Sequence, residues 1–156
     1  MDVWFTGAGD QIEFEEIMKI IDDHTNKNGR IFIGTDSFNL KNKCIMASAV
    51  CLHGAEGSSG GRYFIKRTKL SKNKFPSVLT RILHEVNNTI QLALSINEAN
   101  PDTNIELHLD ISASSKGEVT SKFADMLTGY AKSSGFDYKI KPDAFAAASV
   151  ADRHSK

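Results

Sequence analysis

Neither sign of charge predominates in this sequence: 19 Lys and Arg stand against 19 Asp and Glu in 156 residues. Without a basic surplus there is no whole-molecule pull toward nucleic acid, so any such attraction has to be local. Cysteine is scarce. Cys44 and Cys51 lie an odd number of residues apart in one apparent strand, which puts them on opposite faces and predicts two unpaired, buried thiols of a reducing compartment. Nowhere do about eighteen apolar residues follow one another, and Met1 to Gly7 has neither the basic start nor the apolar run of a signal. A soluble, cytoplasmic protein with no membrane partner is expected. Internal repeats and low-complexity tracts are also missing, and 40% apolar content suits one core, so residues 1–156 are expected to form a single domain.

What is present centres on Ile31-Phe32-Ile33-Gly34-Thr35-Asp36-Ser37. Three apolar residues, two of them β-branched, suit a buried strand, and Asp36 is then a charge set late on an inner strand. A bare carboxylate there is costly unless a basic side chain or a metal lies beside it. Before this strand, Val3-Trp4-Phe5 reads as a short extended piece, and Phe14, Ile17, Met18 and Ile21 recur at helical spacing. Asp22, Asp23 and His24 diverge at that helix end and are expected to be solvated. Lys43 to His53 is apolar on both alternating sets and so predicts a strand covered on both faces. The glycine-rich stretch 53–61 lacks the Lys-Ser/Thr ending of a phosphate loop and is expected to join a hairpin whose second arm, Arg62 to Leu70, is a charged edge strand.

Lys66, Arg67, Lys69, Lys72 and Lys74 cluster at the end of that arm. They are either a solvated edge or a phosphate-backbone footprint. A long helix is predicted from Phe75-Pro76-Ser77 to about Ile96, with Leu79, Ile82, Leu83, Val86, Ile90, Ala93 and Leu94 as its apolar stripe. Glu85 flanks that stripe, the ordinary place of a boundary residue. Ile105 to Ile111 alternates cleanly, and after a long helix a parallel pairing with the Ile31 strand is the natural topology, bringing Asp36 and Asp110 to one sheet edge. His108, two residues inward of Asp110, reads as structural. A turn over 112–117, a helix from Glu118 to Ser133 with Val119, Phe123, Met126, Leu127 and Tyr130 inward, and a strand Tyr138 to Lys141 follow. An alanine-rich helix then begins near Asp143. Asp143 and Asp152 differ by about 180° on a 3.6-residue helix. Asp143, just after Pro142, suits an N-cap, and Asp152 suits the face toward the sheet edge.

Four stretches carry a resemblance: Ile33-Gly34-Thr35-Asp36-Ser37, Arg81-Ile82-Leu83-His84-Glu85-Val86, Glu106-Leu107-His108-Leu109-Asp110-Ile111 and the final run from Lys141 to Lys156. In these the chain resembles the ribonuclease H-like superfamily, and within it the YkuK-like family. The resemblance implies an α/β fold, a mixed five-stranded sheet with helices on both faces, here with an extra N-terminal helix. It implies a metal-dependent nuclease acting on RNA, an RNA–DNA hybrid or structured DNA. Asp36 would bridge two Mg²⁺ or Mn²⁺ ions, Glu85 and Asp110 would each hold one side, and Asp152 would be the fourth ligand. His154 and Lys156, with the basic cluster, would approach the substrate phosphates. The alternative on the same fold is a nucleic-acid or protein-binding module without catalysis. An actin-like nucleotide site is disfavoured, because Gly34-Thr35 precedes the aspartate instead of following it.

Overall fold

The computed structural model describes residues 3–58, 60–112 and 123–155, without the side chains of 147, 148 and 155. A seven-stranded sheet runs β2-β1-β5-β4-β3-β6-β7, where β1 is Trp4–Thr6, β2 Gln11–Ile12, β3 Arg30–Leu40, β4 Lys43–His53, β5 Arg62–Ser71, β6 Asn104–His108 and β7 Asp137–Lys139. The five consecutive strands β5-β4-β3-β6-β7 are the five expected. The antiparallel meander β3-β4-β5 is joined by β6 and β7, both added in parallel on the far side of β3. The two additional strands correct the expected count. β1 pairs with β5 through Trp4–Lys66, Phe5–Ile65 and Thr6–Phe64, so β5 is an edge only outside Phe64 to Lys66.

Side-chain alternation then sorts the two faces. Ile31 and Ile33 of β3, with Val50, Leu52 and Phe64, meet helices α1 (Phe14–Asn26), α2 (Val78–Ala99) and α3 (Ala124–Ser133) in the larger core. Phe32, Ala49, Cys51 and Ile65 face the opposite way, onto Ala146 and Ala151. Each fully buried Ile or Leu in such cores contributes roughly 1.5–3 kcal/mol. Cys44 and Cys51 are free and buried, on opposite faces as expected, and burial pushes the Cys51 thiol up to about 12.

Several helical expectations need correction. α2 begins at Val78 because Ser77 caps it, accepting from the Thr80 amide at 3.2 Å while Thr80 Oγ1 accepts from the Ser77 amide. Leu83 and Leu94 are exposed, outside the buried stripe. His24 is buried, with Nε2 2.8 Å from the Arg30 carbonyl, and a Cβ on Gly29 would meet its ring at 2.2 Å, so glycine is required there. On α3, Leu127 is buried but Met126 and Tyr130 are exposed, and the expected turn and helix start over 113–122 lie outside the described residues. The last helix is π-helical over Ala146–Ala151 and α-helical over Asp152–Ser155 (α4). Asp143 is exposed in the turn before it and does not cap it. Among the described residues no helix is long and apolar enough to cross a membrane.

Candidate metal centre

The parallel ladder between β3 and β6 ends at Gly34–His108, whereas β3 continues to Leu40. Carried two residues on, the register sets Asp36 beside Asp110 on one face at the C-terminal edge of the sheet. α2 brings Glu85 to the same place. The helix is held there by a buried line of hydroxyls, Thr89 to Thr35 and Thr35 to Ser48, each link 2.9 Å. Glu85 is only 5% exposed, so it is no boundary residue; the apolar row beside it packs on the sheet and draws the carboxylate under. One carboxylate oxygen from each of Asp36, Glu85 and Asp110 lies within 4.8 Å of the others. Asp152, from the C-terminal helix, hydrogen bonds to Asp36.

Asp36 and Glu85 hold protons in the absence of a cation. Burial, followed by hydrogen bonds with Asp110 and Asp152 and the charges of Glu85 and Asp110, raises Asp36 to about 9. Two carboxylates cannot hydrogen bond unless one carries a proton. Glu85 is raised to about 8 by burial, against the pull of a Ser37 hydrogen bond and the positive charges of Arg81 and Lys141. The Ser37 hydroxyl donates to Glu85 Oε2, while the buried Oε1 has no hydrogen-bond partner among the described residues. An orphaned acceptor at that depth costs about 1–3 kcal/mol, and a cation satisfies it.

The donor set fits a hard ion. All four side chains offer oxygen, which suits Mg²⁺ or Mn²⁺.

Other expected site residues divide. Arg67 and Lys69 pair through Ala47 and Ile45 with Asp36 and Phe38, so both lie on the Asp36 face, two strands away, about 10 Å at the usual strand spacing. Lys72 and Lys74 are exposed in the 3₁₀ turn that follows β5. Lys66 faces the other way, with its ammonium 5.6 Å from the Trp4 ring, apart from the carboxylates. His154 is tied to β5: its Nε2 lies 3.0 Å from the Tyr63 hydroxyl, and burial with Arg153 and Arg67 nearby lowers its pKa. Lys156 lies outside the described residues. His108 is structural, as expected. Its Nδ1 accepts the Ala146 amide at 3.1 Å and its Nε2 donates to Glu106 at 3.0 Å, with the ring stacked on Phe32.

Three neighbours of the carboxylates escape a reading of the sequence. Ser37 stands out there only as the residue after Asp36, and nothing local says that a strand serine will face a helix carboxylate. Arg81 precedes Glu85 by one helical turn, a spacing that could have found it. Lys141 lies against Asp110 at 2.9 Å. Finding it requires the register of two separate strands.

The family model described as ribonuclease H-like matches residues 13–156. Comparisons with curated proteins and with solved structures return no significant match. The matched span holds strands β3 to β7, the helices on both faces and all four carboxylates. With that span covering most of the sequence, the chain belongs to the ribonuclease H-like family.

Proposed function

We propose that this protein is a metal-dependent nuclease that hydrolyses phosphodiester bonds in RNA, RNA–DNA hybrid or structured DNA. The observation that carries the reading is the buried cluster Asp36, Glu85 and Asp110, with its orphaned Glu85 oxygen, in a chain of ribonuclease H-like fold. Asp36, Glu85, Asp110 and Asp152 would hold two Mg²⁺ or Mn²⁺ ions, which when bound supply water activation and stabilisation of the leaving oxygen. The protein's own contribution is placement. Ser37 fixes the rotamer of Glu85 by donating to one oxygen and leaving the other for a ligand. The Thr89–Thr35–Ser48 line fixes the distance of α2 from β3. Arg67, Lys69, Lys72 and Lys74, all toward the same end of the sheet, are the residues proposed to contact substrate phosphates, with His154 beside Arg67.

The test incubates the protein with labelled single-stranded, duplex, hybrid and junction substrates, each with Mg²⁺, with Mn²⁺ and with chelator. Cleavage of at least one substrate with metal, absent with chelator and absent in Asp36→Asn, is expected. Binding of nucleic acid without cleavage under every condition would establish the non-catalytic module in its place.

A further inference from the structure

Lys141 brings a positive charge into direct ion pairing with the carboxylate cluster. The β6–β7 ladder continues past its last paired residues: the Leu109 amide donates to the Lys139 carbonyl at 2.9 Å and the Lys141 amide to the Ile111 carbonyl at 3.0 Å. These two bonds bracket Asp110 and set Lys141 next to it by backbone alone. Its Nζ lies 2.9 Å from Asp110 Oδ1. The charge is also felt across the cluster, since it opposes the upward shift at Glu85 on another element. Lys141 therefore faces into the carboxylates, although 37% of its side chain remains in contact with solvent.

We propose that Lys141 is the resident counter-ion of the Asp110 side, and that a divalent ion ligated there must displace its ammonium from Asp110. This rests on the reading of the four carboxylates as a metal centre. A divalent ion on either oxygen of Asp110 lies within a few ångströms of an ammonium held on Oδ1, and at such range the two positive charges repel each other. On the Asp36–Glu85 side an ion meets a Glu85 oxygen that has no hydrogen-bond partner among the described residues, so the two ions bind with unequal affinity. The second gains most when a phosphate is present to contribute oxygen ligands and to receive the displaced ammonium.

Calorimetric titration with Mn²⁺ alone tests this. Lys141→Met is expected to bind the weaker Mn²⁺ at least tenfold more tightly than the wild type, Lys141→Gln to show the same tightening, and Lys141→Arg, which keeps the charge, to match the wild type. In melts without metal Lys141→Met should start lower than the wild type and rise further when Mn²⁺ is added. Superimposable Mn²⁺ isotherms for the wild type and both neutral variants overturn the role of Lys141 and leave the metal centre standing. Absence of Mn²⁺ binding in the wild type, as in Asp36→Asn, overturns the metal centre and this inference together.

Discussion

Asp36 shows how a site residue opposes its own fold. It is 7% exposed, among three other carboxyls, and in the folded chain it holds a proton that the unfolded chain releases near 3.8. Replacing it by Asn keeps the shape and removes the need for that proton. Asp36→Asn should therefore abolish cleavage while leaving the melting temperature without metal unchanged or higher, by about 1 kcal/mol in stability; unfolding of this variant would show that Asp36 is structural. The pH dependence follows from the same shifts. For Asp36 and Glu85 the folded values, about 9 and about 8, lie above the ordinary 3.8 and 4.5. The folded state thus binds more protons, and stability without metal falls as pH rises from about 4 to about 9. A bound cation reverses the balance, so Mn²⁺ affinity should increase with pH across this window and binding should release protons. Titrations at pH 7 in buffers of different ionisation enthalpy measure that release; a heat independent of buffer would contradict it.

The elements are legible in the sequence in proportion to how much of their pattern is local. Ile31 to Asp36 and Ile105 to Asp110 declare themselves by apolar content and alternation, and they place two of the four carboxylates at a shared edge. β1 shows only as a short extended piece and β2 not at all, because strands of three and two residues exist only through pairing with β5 and with each other. Glu85 is ambiguous for a related reason: its helix wheel position borders the buried face, and the sheet surface decides. The stretch Ala146–Ala151 reads as an ordinary helix and is π-helical, because alanine favours helix without choosing between hydrogen-bond spacings. Its start is fixed from outside, by His108 accepting the Ala146 amide. His108→Phe keeps a ring against Phe32 but leaves that amide without a partner. It should cost about 1–3 kcal/mol in urea unfolding. It should also weaken Mn²⁺ binding through Asp152, six residues further on, and intact metal affinity would separate the anchor from the ligand.

On the scale of the whole molecule, neutrality hides an arrangement. The basic cluster read from the sequence is divided by the pleat: Arg67 and Lys69 share the face of Asp36, and Lys66 lies on the other against Trp4. If the proposed phosphate contacts hold, Arg67→Ala and Lys69→Ala should each weaken nucleic-acid binding for all sequences. Each should also flatten the salt dependence by about one unit of slope, the share of one neutralised phosphate, whereas Lys66→Ala leaves the slope unchanged. Equal slopes in all three variants would return β5 to a solvated edge. Alternation in the sequence already sets Lys66 against Arg67 and Lys69, but which of the two faces carries Asp36 depends on the pairing through β4.

The carboxylates also come from widely separated parts of the chain, in the order Asp36, Glu85, Asp110, Asp152, the last on the helix that closes over the sheet. Synthesis proceeds in that order at about 5–20 residues per second. The emerging chain therefore presents Asp36, Glu85 and Asp110 before Asp152 leaves the ribosome. The fourth carboxylate arrives last, and the cluster is complete only once the final helix has docked on the sheet.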